Sequence, residues 1–222
     1  MIDDERTLFI NYSFTFSVCR LVDTLLFPST FNVRAEVDII DDTKVELALR
    51  KINYWLQEYV MGSIVIPANS LGLSLVLNDD SNTPRLQNHL MITPEDPTDD
   101  HLCLLLQSKL QALASGAFAV GMVEITSDNA EGLTFTYTGD SEEILPPMDE
   151  WISGPTWFKE PWWLRDDSST FDTVAPPDAD LTVAPHWATD LNFLDRGIGP
   201  QEAIILKGDF SPRIIEDGDD SQ

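Results

Sequence analysis

The chemically capable side chains of this 222-residue chain are three histidines, two cysteines and 38 carboxylates. Nucleophilic hydrolysis requires a serine or cysteine delivered to an imidazole base. His89, His101 and His186 are scattered and no G-x-S-x-G occurs. Ser127-Asp128-Asn129 stands without the S-x-x-K and K-T-G elements that would give it a catalytic context, so it reads as a turn. Neither a G-x-x-x-x-G-K-[ST] phosphate loop nor a G-x-G-x-x-G dinucleotide fingerprint is present. His101 and Cys103 lie two apart in a predicted helix, hence on different faces, and do not make a transition-metal pair. Oxygen-bearing side chains at Asp166, Ser168, Thr170 and Asp172 echo the alternation of a calcium loop. The mid-loop glycine and the bidentate glutamate are missing, so Asp166 and Asp172 are weak metal candidates. Asp38, Asp41 and Asp42 sit at a strand–helix junction, where helix capping accounts for them. No catalytic residue is assigned and no cofactor is expected.

What remains is a proline-punctuated aromatic stretch. Residues 140–195 hold 7 of the 14 prolines and 5 of the 6 tryptophans, with one glycine, Gly154. Proline removes backbone donors and denies the segment a regular ladder. Trp151, Trp157, Phe158, Trp162, Trp163, Phe171 and Trp187 are nevertheless too apolar for a solvated linker. The expectation is a stiff, extended strap that docks aromatic anchors, some onto the protein's own sheet and some onto another molecule. Trp157, Phe158, Trp162, Trp163, Asp166 and Asp167 are the predicted protein-binding residues, because tryptophan beside charge is what interface hot spots use.

Elements must position this strap. Residues 7–18 alternate, with Leu8, Ile10, Tyr12, Phe14, Phe16 and Val18 on one face, and residues 31–40 repeat the pattern with Val33, Ala35, Val37 and Ile39 inward. Both are half-buried strands. A helix follows, with Thr43 and Glu46 at capping-box spacing, an apolar stripe from Val45 to Tyr59, and Gly62 as its stop. Short strands are predicted at Ser63–Ile66, Leu71–Leu77 and His89–Thr93. A second helix, capped by Thr98, carries the stripe Leu102, Leu105, Leu106, Lys109, Leu110 and Leu113 and ends at Gly116. Phe118–Ile125 and Leu133–Thr138 close a hairpin. The two halves suggest a βαββ pseudo-duplication. The fold class is α+β, a largely antiparallel sheet with two main helices on one side. Three parts are expected: a core at 1–139, the strap at 140–200, and a strand with an acidic tail at 201–222.

Thirteen basic residues face the 38 acidic ones, a net charge of -25. The second half of the chain carries about twice the net negative charge of the first. Such a field repels phosphate backbones, so nucleic-acid binding is not expected and a basic protein partner is favoured. Cys19 and Cys103 read as buried thiols of a reducing compartment. The first residues lack the basic and apolar regions of a signal peptide, and no apolar run approaches membrane-spanning length, so a cytoplasmic protein without membrane contact is expected. These features point first to a non-enzymatic interaction or assembly component of a larger complex, such as a viral particle, in which oligomers are allowed. An acidic nucleic-acid mimic that inhibits a DNA- or RNA-binding protein is second. A divalent-cation-dependent enzyme with a carboxylate site is third.

Overall fold

Two alternating sequences produce the longest strands. In the computed structural model, which describes residues 9–22, 25–71, 73, 90–139 and 144–195, β1 (Phe9–Val22) and β2 (Leu25–Ile39) pair antiparallel along their whole length. Phe16, Val18, Phe31, Val33, Ala35 and Val37 point into the core, and Phe16 stacks on Phe31 with ring centroids 5.1 Å apart. The hairpin extends well past the predicted strands, because Arg20 and Ser29 occupy inward positions and break the apolar alternation. At the opposite end Ile10 is exposed rather than inward. Pro28 is tolerated inside β2 because the next strand begins its pairing only at Phe31, leaving an edge there.

The first helix, α1 (Asp42–Trp55), is capped by Asp41, whose carboxylate accepts from the Thr43 backbone N–H at 3.0 Å and the Thr43 hydroxyl at 2.6 Å. The expected Thr43–Glu46 box is therefore displaced by Asp41, two residues before Thr43. Ala48, Ile52 and Trp55 form its buried stripe, which runs on through a π-helical turn (Leu56–Val60) to Gly62 at φ +77°. Short strands β3 (Ile64–Pro67) and β4 (Leu90–Thr93) follow. Leu71 and Leu73 are helical, contrary to the strand predicted from Leu71, whose residues 74–77 lie outside the described residues. The second helix, α2 (Asp99–Ala114), starts after Thr98, although the Thr98 side chain makes no capping bond. It is buried around most of its circumference, not along one stripe only. Strands β5 (Phe118–Ser127) and β6 (Phe135–Thr138) complete the sheet.

The strand order is β4-β3-β1-β2-β5-β6. The pairs β1–β2, β2–β5 and β5–β6 are antiparallel, while β1–β3 and β3–β4 are parallel. The protein is thus α+β, with a six-stranded, mostly antiparallel mixed sheet and two main helices. The halves differ in detail. The strands flanking α1 run in opposite directions and those flanking α2 run in the same direction, so a repeat of one unit does not describe the topology. No helix among the described residues is long and apolar enough to cross a membrane.

The strap wraps the β4 edge. An unpaired edge strand exposes a row of backbone donors and acceptors. Here Ile92 N–H donates to Thr170 O at 3.1 Å, Thr170 Oγ1 donates to Leu90 O at 2.6 Å, and Trp162 Nε1 donates to Ile92 O at 2.9 Å. Trp162 and Trp163 enter the main core beside Trp55. Phe171 and Trp187 cover Leu21, Ile66, Leu90 and Ile92 in a second cluster. The strand expected at Ala203–Leu206 and the tail Glu216–Gln222 lie outside the described residues.

Truncation of Trp162 removes both a core ring and an edge donor. Trp162→Ala is expected to cost about 3–5 kcal/mol of folding stability, read from urea unfolding by circular dichroism. A midpoint unchanged from wild type would refute the edge-cover role.

Candidate functional site

The strap is fastened by a lysine from α2. Lys109 is fully buried, and its Nζ donates to the backbone carbonyls of Trp162 (3.0 Å), Arg165 (2.7 Å) and Asp167 (2.8 Å). An ammonium has three donors, so all are engaged. The rings of Trp55 and Trp162 flank it at 5.8 and 6.0 Å, and Asp167 Oδ1 lies 3.8 Å away. Burial pulls the ammonium down to about 7 against the opposing attraction of Asp167.

Next to it, Arg165 joins two carboxylates. Its Nε donates to Asp167 Oδ2 at 3.1 Å and its Nη1 to Asp172 Oδ1 at 2.9 Å, while the guanidinium lies 3.8 Å over the Phe158 ring. Asp172 Oδ2 accepts the Trp162 backbone N–H at 2.8 Å. Desolvation raises the Asp167 carboxyl, but Lys109, Arg165 and Ser169 outweigh it and hold it below the ordinary range. Desolvation prevails at Asp172 and raises its carboxyl despite Arg165.

These contacts dispose of the calcium geometry. Asp166 is exposed and reaches toward Lys51 at 3.9 Å, Thr170 is bonded to β4, Ser168 is bonded to Thr189 and Trp187, and Asp172 holds Arg165. The predicted oxygens do not converge, and cationic side chains already occupy the space between Asp167 and Asp172. Among the described residues no group of three or more His, Cys, Asp or Glu side chains is placed to hold a metal ion.

The predicted protein-binding residues divide into two groups. Trp162 and Trp163 are 0% and 1% exposed, so their grip is on the protein's own interior, and the expectation that they reach another molecule does not fit that position. Asp167 is tied to Lys109 and Arg165. Trp157 and Phe158 are half-buried against the second cluster, and Asp166 is exposed.

Between the strap and the β3–β4 side of the sheet lies a cleft of about 320 Å³. Leu73, Ile92, Trp151, Ile152 and Val174 form its walls, and Asp172 is the charged group among its described lining residues. Trp151 stacks on Trp163 with centroids 5.7 Å apart, so the buried pair sets the wall of the open cleft. Gly154 permits this closure. Its φ of +143° suits glycine alone, and a Cβ there would meet Val174 Cγ1 at 2.9 Å. The sequence reading named the strap but not this cleft, whose walls come from segments far apart in the chain. The lone Gly154 was the visible signal.

A second cleft of about 420 Å³ opens at the start of α2. Its floor is a closed polar network: Arg20 Nη1 pairs with Asp99 Oδ1 at 2.6 Å, and Ser127 Oγ donates to Asp99 Oδ2 at 2.6 Å. Arg20 also donates to Ser29 Oγ and Pro97 O and lies 5.0 Å over Phe31. The tripeptide Ser127-Asp128-Asn129 is a turn that ties β5 to β2, with Asp128 bonded to Thr30 and Asn129 to Pro28 and Ser29. Burial pushes the Cys103 thiol up to about 12 and pulls the His101 imidazole down, which leaves both uncharged inside the fold near neutral pH.

No protein-family model matches this chain, and no curated protein does. A solved structure of an uncharacterized protein, WS1659 from Wolinella succinogenes, is similar at 13% identity, covering 60% of this chain and 98% of that one, with a TM-score of 0.43. That likeness carries no functional argument.

The Lys109 latch sets a pH dependence. Its folded value of about 7 lies below the unfolded lysine value, so the unfolded chain binds more protons above pH 7 and stability rises with pH. The raised Cys103 and Tyr12 groups oppose this only above about pH 8.5. Between pH 7 and 8.5 the unfolding free energy should climb by up to about 1.4 kcal/mol per pH unit. Lys109→Met should flatten the profile. An equal slope in both proteins would show that Lys109 does not titrate in this range.

Proposed function

We propose that the protein is a non-enzymatic interaction component of a larger assembly, and that its strap receives a basic protein partner that inserts an apolar side chain. The observation that carries this reading is the cleft walled by Leu73, Ile92, Trp151, Ile152 and Val174. It is preformed and apolar, and the carboxylate among its described lining residues, Asp172, is already bonded to Arg165 and the Trp162 N–H. A site equipped in this way favours hydrophobic insertion over acid–base chemistry, for which a free titrating group is required.

Charge narrows the partner. Between Ile144 and Asp195 ten acidic side chains face only Lys159 and Arg165, and Arg165 is turned inward. Asp149, Glu150, Glu160, Asp178 and Asp180 are all exposed. An apolar anchor flanked by lysine or arginine matches this frame: the anchor supplies contact area and the flanking charge supplies steering. The half-buried Trp157 and Phe158 extend the aromatic surface next to it.

Capture from native host cells with wild-type protein and with the plugged variants Ser153→Trp and Thr173→Trp tests this. The partner should be retained by wild type, weakened but not lost at 0.5 M salt, and reduced at least tenfold by either plug. Retention that ignores the plugs and vanishes with salt would replace this reading with nucleic-acid mimicry, since only carboxylate spacing would then matter.

A further inference from the structure

The β1 edge presents a second surface, independent of the cleft. Strand β3 pairs with β1 only at Cys19 and Arg20. Cys19 N–H donates to Ser63 O and Ser17 O accepts from Gly62 N–H, so the odd-numbered residues of β1 direct their backbone groups away from β2. Ser17 N–H is covered by the Met61 sulfur at 3.4 Å. Asn11, Ser13 and Thr15 direct their N–H and C=O groups the same way, and no described residue pairs with them there. Edge strands are ordinarily protected by lysine, proline, a bulge or a covering segment. Between Phe9 and Val18 there is no charged residue and no proline, and the β1–β2 register runs without a shift.

We infer that this edge is the seat of a symmetric dimer, in which β1 of a second copy pairs antiparallel about Ser13 and joins the two sheets into one. The register is centred on Ser13, which lies midway between Phe9, where the strand begins, and Ser17, which is already occupied. Asn11 of one copy then faces Thr15 of the other, and Ser13 faces its own counterpart. Each of these facing pairs exchanges two backbone bonds, as hydrogen-bonded antiparallel pairs do. On the helix side Tyr12 of one copy falls opposite Phe14 of the other. Both rings are half-exposed in the single chain, so pairing buries what the monomer leaves open.

Charge selects this occupant. A molecule of net charge -25 repels its own copy over most of its surface. The run Phe9–Cys19 carries no charge of its own, so two copies can approach along it with no carboxylate on either facing strand, and it offers a basic partner nothing to pair with. A two-fold arrangement is also the commonest closed symmetry and needs a single self-complementary patch.

Sedimentation velocity over micromolar concentrations should show a dimer that tightens when salt is raised from 0.15 to 0.5 M. Ser13 is exposed and makes no side-chain bond that folding requires, so a charge there leaves the chain folded. Ser13→Glu and Ser13→Lys should each weaken the dimer at least tenfold with unchanged circular dichroism, and mixing the two should restore it. A wild-type monomer at every concentration, or dimerisation indifferent to Ser13→Glu, would overturn the proposal.

Discussion

Three carbonyl oxygens gathered on the buried Lys109 side chain fix the path of the strap. Lys109 reaches from α2 through the Trp55–Trp162 pair to the backbone of Trp162, Arg165 and Asp167, and those residues bring the strap over the β4 edge. Without that cover, the outward backbone groups of Leu90 and Ile92 would be unpaired among apolar neighbours, at a cost comparable to a lost hydrogen bond for each. The strap has no ladder of its own to recommend its path. Its position follows from discrete anchors: a lysine through carbonyls, a threonine hydroxyl, an indole N–H, and an arginine between two aspartates.

The same anchors explain where the cations went. Arg20, Lys51, Lys109 and Arg165 are buried or nearly so and bind oxygens within the protein. A chain with 13 basic residues has thereby turned some of its scarcest groups inward. Truncating one would strand a buried carboxylate or a set of carbonyls, a larger loss than the net worth of the pair. The outward consequence is a surface more uniformly carboxylate than composition alone implies, the strap between Ile144 and Asp195 holding ten carboxylates against two basic residues.

The sheet was legible because its strands obey a period of two, and α1 because Ala48, Ile52 and Trp55 recur at helical spacing. Legibility failed where polar residues do structural work inside. Arg20 and Ser29 ended the apparent alternation and hid the turn end of the β1–β2 hairpin. Asp41 took the cap that the Thr43–Glu46 spacing suggested, because the chain leaves the sheet with Ile40 and Asp41 both bonded to Ala117 O. Lys109 stood within an apolar stripe, and that misfit marked the latch, but its partners lie more than fifty residues away and no local pattern could name them. The cleft is non-local in the same way: Leu73, Ile92, Trp151 and Val174 become neighbours only after the strap has turned the β4 edge.

Burial also decides what the aromatic residues can be asked to do. A tryptophan count measures how much apolar area is present, not which side of the strap it faces. With Trp162 and Trp163 sealed between the helices and the sheet, their contribution is to the stability of the strap, and through the Trp151 stack to the shape of the cleft wall. On the readings proposed above, recognition would use half-open rings: Trp157 and Phe158 beside the cleft, and Tyr12 and Phe14 along the β1 edge. The first pair lies in a carboxylate frame and the second in an uncharged strand. Their surroundings therefore call for chemically different occupants: a basic segment for the strap, and a strand without charge for the edge.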